Sequence, residues 1–180
     1  VAFSNYVNRA FYDPEEEVLS TSNYNIEHRF TGVFSYTADW FGGYNTNITL
    51  FAQANSGTPY SLVHEGADGT INAYGFTPYL DFIEHVLLEP GTRNQEEGSW
   101  WAKADLRISQ EFPGFSPEHR GSAFIIIDNV TNLLNDEWGV MRRPNFPYGV
   151  TLADKQAGNA QSRIGDASLW EIRIGANYRF

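Results

Sequence analysis

Between Trp100 and Phe112 the side chains alternate without a break. Trp100, Ala102, Ala104, Leu106, Ile108, Gln110 and Phe112 occupy one phase of a two-residue period, and Trp101, Lys103, Asp105, Arg107, Ser109 and Glu111 the other. A strand sends successive side chains to opposite faces, so this segment has one apolar and one charged side. Leu169 to Phe180 repeats the pattern, with Trp170, Ile172, Ile174, Ala176, Tyr178 and Phe180 opposed to Glu171, Arg173, Gly175, Asn177 and Arg179. Tyr24 to Trp40 alternates too, its apolar phase running from Tyr24, Ile26 and His28 through Phe30, Phe34 and Tyr36 to Trp40. Tyr44 to Asn55 follows the tight-turn sequence Phe41-Gly42-Gly43. Two further strands are less clean. Ser122 to Thr131 contains Ala123-Phe124-Ile125-Ile126-Ile127, apolar in both phases, which leaves its register open; Ala2 to Tyr12 is of mixed polarity. Six strands are expected.

The connections alternate in length. Residues 13–23 form a medium loop, 41–43 a tight turn, 56–98 a long loop, 113–121 a short connection and 132–168 a second long loop. If the strands run antiparallel, every long loop falls at one end and every short turn at the other. The predicted fold is all-β, an antiparallel up-and-down meander. Segregated loops are the arrangement of an outer-membrane barrel, and a soluble sandwich has no reason to adopt them so consistently. The two long loops and the 13–23 loop, with its Glu15-Glu16-Glu17 run, carry most of the 22 carboxylates.

Composition narrows the function. Lys plus Arg number 12 against 22 Asp plus Glu, a net charge of −10 that repels a nucleic acid. The absence of cysteine excludes disulfide scaffolds, thiolate metal sites and cysteine nucleophiles. No apolar run approaches the ~20 residues of a membrane helix, whereas a barrel strand needs only about ten alternating residues. Thirteen Phe, ten Tyr and five Trp are present. Tyr24, Trp100 and Trp170 fall at the long-loop ends of the apolar faces, and Trp40, Tyr44, Phe112, Tyr178 and Phe180 at the short-turn ends. Two aromatic rows around an aliphatic band match the girdles of a barrel at its two membrane interfaces; a soluble sheet with aromatic rims is the alternative. The opening Val1-Ala2-Phe3 reads as mid-sequence, so a fragment is expected.

The run Trp101-Ala102-Lys103-Ala104-Asp105-Leu106-Arg107-Ile108-Ser109-Gln110-Glu111, then Asp128-Asn129-Val130-Thr131-Asn132-Leu133-Leu134-Asn135, then Gly175-Ala176-Asn177-Tyr178-Arg179-Phe180, resembles the C-terminal end of a TonB-dependent outer-membrane receptor. His28-Arg29-Phe30-Thr31-Gly32-Val33-Phe34-Ser35-Tyr36 and Ser56-Gly57-Thr58-Pro59-Tyr60-Ser61 are similar to the Oar-like branch of that family. The resemblance implies that residues 1–180 are the C-terminal part of a barrel of about 22 strands with a plugged lumen. The plug and the TonB-contacting segment would lie outside this sequence. It implies energised uptake of a large, scarce solute across the outer membrane of a Gram-negative bacterium, with outer-membrane lipid, the barrel-assembly machinery and the TonB system as partners. It implies an assembly signal at Gly175, Tyr178 and Phe180. The alternatives are a non-transporting outer-membrane barrel for adhesion or surface organisation, and a soluble carbohydrate-binding β-sandwich.

Nothing in the residues calls for catalysis. His28, His64, His85 and His119 show no metal-ligand spacing, and no G-x-S-x-G elbow occurs. No catalytic, metal or cofactor site is expected, and no ligand-binding residue is assigned. A short helix over Phe76 to Leu88 and a lipid or ligand contact at Arg142-Arg143 are weaker readings. The charges Lys103, Asp105, Arg107, Glu171, Arg173 and Arg179 share the face expected to line a lumen. They either line a solute path or, as is commoner in a wet interior, pair with one another or with the plug.

Overall fold

The computed structural model describes residues 10, 17, 19–64, 87–145 and 148–180. Its strands are β1 (Arg29–Asp39), β2 (Asn45–Asn55), β3 (Pro59–Val63), β4 (Glu96–Glu97), β5 (Trp101–Pro113), β6 (Arg120–Asp128), β7 (Arg142–Arg143), β8 (Gly149–Thr151), β9 (Ser162–Arg163) and β10 (Glu171–Arg179). The long alternating segments pair in chain order. They form one antiparallel sheet, β1-β2-β5-β6-β10, which is the expected meander. The predicted strand Ala2 to Tyr12 lies outside the described residues apart from Ala10.

Register joins the faces of separate strands into two continuous surfaces. Phe34, Leu50 and Leu106 are opposed in turn across β1, β2 and β5, and Ile108, Ile125 and Ile174 across β5, β6 and β10. The apolar phases predicted strand by strand therefore meet on one side. The register left open in 122–131 is fixed by these ladders. Ala123, Ile125 and Ile127 join the apolar face, and Phe124 and Ile126 the polar one.

Two predicted boundaries shift. The first strand begins at Arg29, not at Tyr24, because a turn over 22–25 precedes it, with Asn25 N–H donating to the Ser22 carbonyl at 3.0 Å. Tyr24, Ile26 and His28 therefore leave the strand face. The segment expected to run to Thr131 ends at Asp128, where Asn129 takes φ 52° and a one-turn helix α1 (Val130–Leu134) follows. The turn after β1 is as predicted. Gly42 and Gly43 have φ 62° and 92°, values that side-chain-bearing residues rarely adopt, and Asp39 Oδ1 accepts from Gly43 N–H at 2.7 Å.

The chain divides into two compact units, Arg29–Asn55, Trp101–Met141 and Ile164–Phe180 forming the unit of the large sheet. The other comprises Val1–His28, Ser56–Trp100 and Arg142–Arg163. The segments read from sequence as long loops are thus partly ordered. β3 pairs antiparallel with β4 and parallel with β8, and β7 pairs with β9. A short helix α2 (Leu152–Gln156) follows β8, capped by Thr151, whose Oγ1 accepts from Asp154 N–H at 3.0 Å. Leu87 bridges to Val63 and Leu88 N–H donates to the Leu62 carbonyl at 3.1 Å, so the end of the predicted 76–88 helix is extended rather than helical; residues 76–86 lie outside the described residues. Among the described residues, every buried hydrophobic side chain (Ala10, Tyr60, Val63, Leu87, Val150) belongs to this second unit. The five-stranded sheet has none.

Candidate functional site

The sheet presents a large apolar surface that nothing among the described residues of its own unit covers. Phe34 is 63 % exposed and Ile174 80 %, and Phe30, Tyr36 and Ile172 are also exposed. At about 25 cal/mol per Å² of apolar area, leaving such rows in water is unfavourable. The surface has polar atoms near the short-turn end, where Thr46 Oγ1 donates to Gln110 Oε1 and Gln110 Nε2 donates to the Tyr44 carbonyl at 3.3 Å. These groups satisfy one another.

Aromatic side chains flank the aliphatic rows. Trp40 and Phe112 stand at the short-turn end, both exposed, with Tyr36 6.3 Å from Trp40. Tyr44 precedes β2 and has the Arg120 guanidinium over its ring at 5.7 Å. Trp170 immediately precedes β10, and Trp100 immediately precedes β5; both are about half exposed. Tyr24 was expected in this row and is not on a strand. It packs edge-on against Tyr148 in the second unit, centroids 6.4 Å apart. His28, placed by sequence in the middle of an apolar strand face, instead stacks on Trp100 at 5.9 Å beside the Glu27 carboxylate.

The opposite face is polar and internally paired. All six charges assigned to it lie on it by register. Lys103 Nζ lies 3.7 Å from Asp105 Oδ1, which also accepts from Asn129 N–H at 2.7 Å. Arg173 bonds to Asp128 and lies 3.8 Å from Glu171. Arg107 sits over the Phe124 ring at 5.1 Å. Sequence reasoning missed Asp128 and Phe124, because the register of their strand was open and both phases were apolar. Phe124 lies over Gly175, directly opposite, where a Cβ would come within 2.4 Å of the ring. Gly175 thus has a packing role. Tyr178, named with it for assembly, accepts from Phe115 N–H at 2.9 Å and lies 3.0 Å from His119 Nδ1, pinning the β5–β6 turn to β10. Phe180 is almost fully exposed beside Arg179.

In the second unit, a groove of about 530 Å³ is lined by amides and acids, including Asn25, Glu27, Asn94 and Glu97. Asn94, with φ 55°, is the buried hub. Its Nδ2 donates to the Thr21 carbonyl at 2.6 Å, and its Oδ1 accepts from Ser61 at 3.0 Å. Nearby, Lys155 Nζ bonds to Glu96 Oε2 at 2.5 Å, which holds the ammonium above its ordinary pKa. Burial, then the Glu96 carboxylate, pushes the Tyr60 hydroxyl up, with Lys155 opposing. Arg142 and Arg143 are exposed on β7, Arg142 opposite Arg163. Comparison with family models, with curated proteins and with solved structures returns no match to the chain.

Proposed function

We propose that this chain contributes wall strands and outer loops to an outer-membrane β-barrel of the TonB-dependent receptor class, serving uptake of a large, scarce solute. The observation that carries the reading is the apolar surface aligned across five antiparallel strands with no hydrophobic side chain of that sheet buried among the described residues. Lipid is the solvent in which such a surface is stable. The paired polar face suits a wet lumen, and long connections confined to one end of the meander suit outer loops. The resemblance in the 101–111, 128–135 and 175–180 segments supplies the receptor class; the surface alone equally fits a non-transporting barrel. A soluble sandwich would need a second layer over the apolar face. The acid- and amide-lined groove is the part of the loop unit best suited to a polar solute.

The test is a pair of substitutions on each face. An arginine at the bilayer midplane of a barrel costs ~2–4 kcal/mol. Leu106→Arg and Ile174→Arg should impair folding into bilayers, while Arg107→Leu and Arg173→Leu should be milder. Equal losses on both faces would remove the lipid assignment.

A further inference from the structure

At the short-turn end of the polar face, Arg179 of β10 stands directly opposite Arg120 of β6. Two residues along, on the same face, Asn177 stands opposite Ser122. Opposed Cβ atoms on a ladder are about 4.5–5.5 Å apart, and same-face neighbours along a strand about 7 Å. Four hydrogen-bond-donating side chains therefore occupy two adjacent rungs. They line one cavity of about 400 Å³, whose wall also includes Glu111 and Phe180.

Like charges directly opposed on a ladder destabilise it. Elsewhere on this face opposite charges are paired, as Lys103 with Asp105 and Arg173 with Asp128. Here neither arginine has a carboxylate within 4.0 Å among the described residues. The nearby acids are engaged by backbone. Glu111 Oε2 accepts from Asn45 N–H at 3.2 Å, and Asp39 Oδ1 from Gly43 N–H. Arg120 is held by the Gly43 carbonyl at 3.3 Å and by the Tyr44 ring, so one guanidinium is positioned in advance.

We propose that Arg120 and Arg179 bind a phosphate group, with Ser122 and Asn177 donating to its remaining oxygens. A guanidinium presents a planar fork that matches two phosphate oxygens. Two such forks suit an anion of more than one charge and several acceptor oxygens better than a single carboxylate. The phosphate can belong to a soluble phosphorylated molecule or to a phospholipid headgroup. This inference uses only the polar face and stands whatever solute the protein handles.

The experiment is calorimetric titration of the full chain in a phosphate-free nonionic detergent, with inorganic phosphate in one arm and micelles containing phosphatidic acid, whose headgroup is a phosphate monoester, in the other. Saturable binding in the first arm identifies a soluble source, and binding in the second alone identifies the headgroup; each supports the site. Arg120→Gln and Arg179→Gln should each weaken it at least tenfold. Arg179→Lys keeps the charge but loses the fork, and should weaken it less. Arg142→Gln, a basic residue of the other unit, should leave it unchanged. No binding in either arm, or equal weakening by Arg142→Gln and the two site variants, overturns the proposal.

Discussion

Asn129 ends β6 by turning its own backbone into the left-handed region, and its side chain then fastens the chain that follows. Its Nδ2 donates to the Gly139 carbonyl at 3.0 Å, and its Oδ1 accepts from Thr131 Oγ1 at 2.7 Å. Asn132 repeats the device, with Nδ2 donating to the carbonyls of Asp136 and Trp138. A buried polar group left without its partner costs ~1–3 kcal/mol. Asn129→Ala should therefore lower the unfolding free energy by about that much, measured by denaturant titration in detergent. Asn129→Asp should cost similarly, since a carboxylate cannot donate to Gly139. In the sequence this Asp-Asn-Val-Thr-Asn run carried only a resemblance, and alternation extended the strand through it to Thr131. A left-handed asparagine leaves no mark on hydrophobic period, so the helix that follows was not legible. Tyr60 makes a second prediction. Its folded pKa and that of Lys155 are both raised, so both groups bind their protons more tightly in the folded state. The stability they contribute is complete below the unfolded value near pH 10 and is lost as pH rises above it. Absorbance titration of tyrosinate, wild type minus Tyr60→Phe, should show this tyrosine ionising above the ordinary tyrosine value. A difference curve at the ordinary tyrosine value would contradict the buried environment.

At the scale of elements, the clean alternation of 100–112 and 169–180 was enough to place β5 and β10 within two residues at every end. Each has one apolar and one charged phase, so only one register buries like with like. The 122–131 segment lacked that contrast. Its phase was decided by neighbours, Ile125 falling between Ile108 and Ile174 and Phe124 beside Arg107 over Gly175. The 24–28 stretch failed for the opposite reason. Tyr24, Ile26 and His28 keep the period, but the turn at Ser22 and the stack of His28 on Trp100 draw them into the second unit. The small sheet of β3, β4 and β8 was invisible because its strands are short and two of its pairings join segments distant in sequence. Loop length still predicts accessibility. Protease added to intact cells should nick within 56–98 or 132–168, outside β3, β4 and β8, and spare 41–43 and 114–119. Cleavage confined to the short turns would invert the topology.

For the whole molecule, the consequence is a dependence on amphiphile. Among the described residues β1 and β10 each pair on one side only, and the apolar face of their sheet is open. Open edges and a bare apolar face drive association in water. The 180-residue chain without detergent should run as aggregates in size-exclusion chromatography, and a monodisperse monomer with a cooperative melt would favour the soluble sandwich. The central claim, that one face of this meander meets lipid and the other water, has a more direct test. The chain has no cysteine, so single-cysteine variants carry a label at one known place. With the full chain in bilayers, a spin label is scanned through positions 102 to 111 and its collisions with a lipid-soluble and a water-soluble relaxant are compared. The expected result is a two-residue oscillation, with positions 102, 104, 106 and 108 favouring the lipid-soluble relaxant and 103, 105, 107 and 109 the water-soluble one. A flat profile, or an oscillation of the opposite phase, would contradict it.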